Sequence, residues 1–314
     1  MKTKSRMIRN AVLAVLAVLL GSGVVLAETL PPEVVPEPER TLEDVGSSHF
    51  ASEHKVTSGD NVLNGLYERP FTAEEMIYQP DLDIVTVDQA QDDLFYYFTI
   101  RLYGMNMVGG GLKGAYSIEF DRRLKGRGDL LVQVIEPAYE WSKEGVTIYG
   151  DKNRDVGGIK PMAADTGFTG SGYDMTVELT DEKSAFVRVD PDDGNAVQFA
   201  ISKALLENPE GFAWGAWADN GLKDVTKFDY NDTMGPTEAG SPIKDKYYPV
   251  KGLFNLDNTC RLLVGESEET SIPGLCKVGV PLVQNKKGGS CYCSNPQIAD
   301  QQRCIDTGAK WICN

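Results

Sequence analysis

Asp151, Asn153 and Asp155 place three oxygen-bearing side chains at alternate positions of Asp151-Lys-Asn-Arg-Asp-Val-Gly-Gly158. In a tight loop, side chains at positions 1, 3 and 5 turn inward and can wrap a hard cation, while a backbone carbonyl near position 7 closes the arc. Position 7 is Gly157. The expected ligand set is therefore Asp151, Asn153, Asp155 and Gly157, with Ca²⁺ as a structural ion. Two positions depart from the helix-flanked calcium loop: Val156 replaces its usual glycine, and Met162 stands where a bidentate Glu would close the site. Asp165 or Asp174 would have to supply the missing ligand. The competing reading is a polar turn whose Asp and Asn bond their own backbone.

Aromatic rings offer a second kind of chemistry, because the face of an indole or phenol suits the apolar side of a sugar ring. Trp141, Trp217, Tyr230 and Asp232 are the candidate ligand-binding residues on this ground. Trp214 and Trp217 fall on opposite faces of one strand, so one is expected in the core and the other exposed or under a loop. Phe228-Asp-Tyr-Asn-Asp232 reads equally as a groove wall or as a surface turn. Arg127-Gly-Asp129 spells an adhesion tripeptide, but between Lys125 and Asp129 it is more simply a glycine-assisted hairpin turn. Asp190-Pro-Asp-Asp-Gly194 is an acidic turn.

Catalytic signatures do not emerge. The sequence holds no Gly-x-Ser-x-Gly elbow, phosphate-binding glycine loop or His-Glu-x-x-His motif. Its only histidines, His49 and His54, precede the patterned body. Paired carboxylates could hydrolyse glycosides without histidine, but no spacing brings two of them to a defined separation. No catalytic residue is assigned.

The elements that must position these residues read as strands. Leu94, Tyr96, Phe98, Ile100 and Leu102 form one face of a long strand, with Thr99 and Arg101 on the other. Asp83–Val87 precedes it, with a turn expected at Gln89–Asp92. Tyr116, Ile118 and Phe120 alternate, and Leu130–Ile135 and Val146–Ile148 follow. Tyr173, Met175, Val177 and Leu179 suggest another strand. Ala185–Val189, then Val197, Phe199 and Ile201, then Phe212–Trp217 complete the set. Short strands without a long helical pattern predict an all-β fold, an antiparallel β-sandwich of jelly-roll type. Phe98, Ile100, Ile118, Phe120, Val132, Ile148, Val177, Phe199 and Ile201 are expected inside.

The 314-residue chain divides by composition. Residues 1–27 read as a secretory signal peptide: Lys2, Lys4, Arg6 and Arg9 precede the apolar run Ala11–Leu20, and Val25-Leu-Ala27 offers a cleavage site. Residues 28–62 are Pro/Glu-rich and are expected to form a disordered linker. Residues 63–265 are the sandwich, and 266–314 a small Cys-rich tail. Cleavage would remove four positive charges and no negative ones, taking the net charge from −15 to −19. A field of that sign repels phosphate backbones, so nucleic acid is not an expected partner. No integral membrane span is expected after signal cleavage. All six cysteines, Cys260, Cys276, Cys291, Cys293, Cys304 and Cys313, lie near the C-terminus. Behind an export signal an even set implies disulfides. Cys260 and Cys276 are expected to pair locally, and Cys291 and Cys293 with Cys304 and Cys313 in an order left open.

Two resemblances add to this reading. Asn195–Leu206 followed by Phe212–Asp219 is similar to the late strands of family-9-like carbohydrate-binding and DOMON-like sandwiches, and Asp93–Ile100 resembles their strand after a "DDLY"-type start. The chain also resembles secreted bacterial β-sandwich proteins of uncharacterised activity, through Tyr67–Phe71, Asp151–Gly158, Phe228–Asp232, Ala239–Pro242, Asp257–Arg261 and Gly274–Cys276. The first resemblance implies glycan as the leading ligand, at the level of fold. The expectation is a secreted, noncatalytic, calcium-stabilised binding module for a polysaccharide or cell-surface ligand. A structural extracellular component is the alternative, and a carboxylate-dependent glycoside hydrolase the third reading.

Overall fold

The computed structural model describes residues 29–48, 56, 60–62, 65–126, 128–157, 172–220, 224–228, 234–240, 249–265 and 274–276, and the backbone of 283–284, 290–293 and 311–313. The expected signal peptide, Tyr230, Asp232 and Cys304 lie outside the described residues.

The fold is the expected antiparallel sandwich. Strands β1 (Arg40–Glu43), β3 (Ile84–Gln91), β4 (Phe95–Leu102), β10 (Ala196–Ser202) and β9 (Ala185–Val189) form one sheet in the order β1-β3-β4-β10-β9. The second sheet runs β2 (Glu68–Arg69), β12 (Leu256–Asn258), β11 (Gly211–Asp219), β5 (Ala115–Asp121), β6 (Leu130–Ile135), β7 (Val146–Gly150) and β8 (Met175–Thr176). Strand β13 (Leu262–Gly265) pairs with the first half of β11, while β12 pairs with its last three residues. A third sheet joins β14 (Val283–Gln284), β15 (Ser290–Cys293) and β16 (Trp311–Cys313).

Alternation places the core. Tyr96, Phe98, Ile100 and Leu102 of β4 meet the inner faces of β5 and β11 in one buried cluster. Edge-on aromatic contacts join the sheets: Phe98 lies 5.6 Å from Phe120 and 4.9 Å from Trp214, and Tyr96 lies 4.9 Å from Phe212. Such contacts add directionality to the hydrophobic burial. The nine residues expected inside all join this cluster, Val177 as a partly buried member.

Several expectations need correction. The turn after β3 begins later than Gln89, because Gln89, Ala90 and Gln91 remain paired with β4. Asp92 makes the turn, its Oδ1 accepting the Leu94 and Phe95 N–H groups at 2.8 and 2.7 Å. Leu94 sits in that turn, 64% exposed, rather than on the core face of β4. The strand expected across Tyr173–Leu179 shrinks to Met175–Thr176.

The linker expected across 28–62 is corrected where the span is described. Within it β1 pairs with β3, and Leu42 and Val45 are each only 3% exposed. Four residues are too few to display alternation, and flanking Pro and Glu hide them. Pairing with the open edge of β3 satisfies their backbone groups, which is what holds them.

Candidate functional site

The outer face of the five-stranded sheet carries a groove of about 600 Å³. Strand alternation that sends Phe98 and Ile100 inward sends Tyr97, Thr99 and Arg101 outward from β4. Arg188 on β9 and Gln198 on β10 stand beside them, while the Glu33–Pro38 segment forms one wall and the Asp190–Asp193 turn another. The polar floor is held in place. Arg188 Nε donates to Gln198 Oε1 at 2.8 Å, and its guanidinium lies 4.4 Å from the Trp141 ring centroid. Arg101 bonds Asp88 at 2.9 Å and lies within 3.4 Å of Asp193. Planar donors and acceptors locked at fixed spacing suit a ligand with adjacent hydroxyls.

Of the expected ligand-binding residues, the two described, Trp141 and Trp217, lie on different sheets' faces and do not come together. Trp141 borders this groove through Arg188 and is partly buried, its indole N–H shut from solvent without a hydrogen-bond partner. Trp217 lies in the other sheet and is 1% exposed. Phe228 covers its ring at 4.2 Å and Tyr67 at 5.7 Å. Trp217 is thus core to its loop, a correction to the expectation that it meets a ligand. Trp214 is buried as well, at 0% exposed, so neither ring of the pair is open to solvent.

The Asp151 loop is engaged with its own backbone. Asp151 Oδ1 accepts the Arg154 N–H at 2.6 Å and Oδ2 accepts the Val156 N–H at 3.2 Å. Asn153 turns its amide N–H toward Asp155 Oδ2 at 2.8 Å, and Asp174 accepts the Lys152 and Asn153 N–H groups at 3.1 and 3.2 Å. Gly157 takes a positive φ of 64°. Burial pushes the Asp151 carboxyl up to about 6, the Val156 and Arg154 amides offsetting part of it. These are the bonds of a polar turn. The aspartate of the Arg-Gly-Asp tripeptide is likewise folded in: Asp129 is 4% exposed, accepts the Arg122 N–H at 2.6 Å and pairs with Arg123.

Spacing did not mark a group of acids that the fold brings together. Asp44 follows β1, Asp83 precedes β3, and Glu68 and Asp257 face each other across the β2–β12 pair. One ligand oxygen from each of Asp44, Glu68 and Asp257 lies within 4.8 Å of the others. Glu68 is 2% and Asp257 0% exposed. Asp257 Oδ2 accepts the Ile84 N–H at 2.7 Å, linking the sheets. Asp83 is committed to the Ser47 N–H at 2.9 Å and the Tyr78 hydroxyl at 2.5 Å. Burial, then neighbouring charge from Asp257 and Asp44, holds the Glu68 carboxyl well above the usual range. Burial, then Asp44 and Asp83, does the same for Asp257. Asp44 is raised chiefly by burial too, the nearby Val45 amide and Glu68 carboxyl offsetting part without closing to hydrogen bonds.

Tyr67, Val156, Phe228 and Ala239, from four of the segments that carry the second resemblance, meet on the outer face of the larger sheet. Tyr67, Val156, Trp217, Phe228, Ala239 and Leu256 form a separate buried cluster. Beside it, Glu119 accepts from Trp217 Nε1 at 3.2 Å and pairs with Arg261 at 3.0 Å. Cys260 and Cys276 are bonded, as expected, with Cα atoms 5.0 Å apart. Compared with protein-family models, curated proteins and solved structures, the chain matches none.

Proposed function

We propose that the chain is an exported, noncatalytic β-sandwich that binds a glycan in the groove on its five-stranded sheet. The observation that carries this is the floor of Thr99, Arg101, Arg188 and Gln198, fixed by ion pairs and the Trp141 stack before any ligand arrives. Preorganised planar groups lose little freedom on binding, which is how a shallow polar site gains affinity. A structural extracellular role is the second reading, favoured by the Glu33–Pro38 segment lying along the same groove.

A glycan array with pull-down on insoluble polysaccharides tests the proposal. The wild type is expected to be retained, and Arg188→Ala and Gln198→Ala to be released. Absence of retention for the wild type would move the structural role ahead. Retention unchanged in both variants would place binding elsewhere.

A further inference from the structure

We propose that Asp44, Glu68 and Asp257 hold a divalent cation, calcium above magnesium, between the two sheets. The site stands on more than clustering. Both Asp44 carboxylate oxygens, Glu68 Oε2 and Asp257 Oδ1 are shut from solvent and have no hydrogen-bond partner. Glu68 and Asp257 are buried residues, at 2% and 0% exposed. Among the described residues no Lys or Arg pairs with any of the three; the nearest guanidinium along the chain, Arg69, is turned to Asp60 at 2.7 Å. Buried carboxylates are stable only when paired, hydrogen-bonded or on a metal.

Protons are the rival source of neutrality. A proton between the neighbouring Asp44 and Glu68 carboxyls neutralises one charge and still leaves Asp257 Oδ1 buried with no partner. An all-oxygen donor set selects a hard cation over zinc or copper. The ligand oxygens lie within 4.8 Å of one another. Magnesium dehydrates reluctantly and keeps several waters, so carboxylate oxygens shut from solvent favour calcium.

The sites can be told apart on the full chain. Thermal melting and calcium titration calorimetry are compared in calcium, in magnesium and in chelator. The wild type is expected to bind one calcium, with a raised melting midpoint and a smaller rise in magnesium. Glu68→Gln and Asp257→Asn should each weaken calcium at least about tenfold, since each removes a charged ligand. Asp151→Asn should leave the affinity unchanged. The wild-type melts stand alone if a variant fails to fold: identical midpoints in all three buffers overturn the proposal. So does calcium binding that Asp151→Asn abolishes and Glu68→Gln retains. A larger rise in magnesium overturns the choice of calcium.

Discussion

Glu119 shows what a single buried charge can organise. It sits 2% exposed on β5, accepting from Trp217 and pairing with Arg261, and Tyr173 donates to it at 3.4 Å. Removing the carboxylate takes from Arg261, 7% exposed, its bond to Glu119 and from the Trp217 indole N–H the Glu119 acceptor. Glu119→Ala is therefore expected to cost about 3–5 kcal/mol, the usual cost of breaking a buried pair from one side. Urea unfolding measures it, and a loss below about 1 kcal/mol would mean that the pair is solvated in solution. Gly128 belongs to the same arrangement, because a side chain there would run into the Tyr173 hydroxyl and Glu119. At this scale little was legible in the sequence. Spacing marks Asp151, Asn153 and Asp155 because they are local. It cannot mark Glu68 and Asp257, which become neighbours only when β2 pairs with β12. Nor does spacing say that Asp151's oxygens are taken by the Arg154 and Val156 amides.

Elements were legible where one face is apolar and the run is long. Strands β4, β10 and β11 display their alternation over seven or more residues each. Strand β1 does not, and β12 with three residues does not either. Short edge strands are held by a neighbour's backbone rather than by their own pattern. The Cys260–Cys276 bond serves such an edge. It ties Cys260, between β12 and β13, to Gly274–Cys276, where Arg261 N–H donates to the Gly274 carbonyl and Cys276 N–H to the Arg261 carbonyl, both at 2.8 Å. Replacing both cysteines by Ala is expected to lower stability by about 2–4 kcal/mol, loop closure in the unfolded chain being the larger part in the entropic account. Chemical denaturation of the variant against wild type checks this, and an unchanged midpoint would show the edge to be held by its hydrogen bonds alone. The β15–β16 register places Cys291 opposite Cys313.

Among the described residues, the two larger sheets close over one aromatic layer. Phe98 stands at its middle, touching Phe120 of β5 and Trp214 of β11 from the opposite sheet. Phe98→Ala is expected to cost about 3–5 kcal/mol, the transfer loss plus the cavity left in a layer with rings on both sides. A variant that unfolds within about 1 kcal/mol of wild type would mean that the sheets close over the gap. The sandwich class follows from alternation alone, since two half-apolar sheets have only each other to bury against. The groove does not, because Arg101, Arg188 and Gln198 lie on three strands whose order sequence does not reveal. The two sheets also differ in how their rims are finished. One rim of the smaller sheet is supplied by Arg40–Glu43, a piece of chain outside the patterned body, laid against β3 and reaching the far sheet through Arg40 to the Leu263 carbonyl. Proteolytic loss of that piece would uncover the backbone groups of β3 as a template for another chain. The remaining body would then recruit a strand from a second copy, and self-association would become the price of a clipped N-terminus.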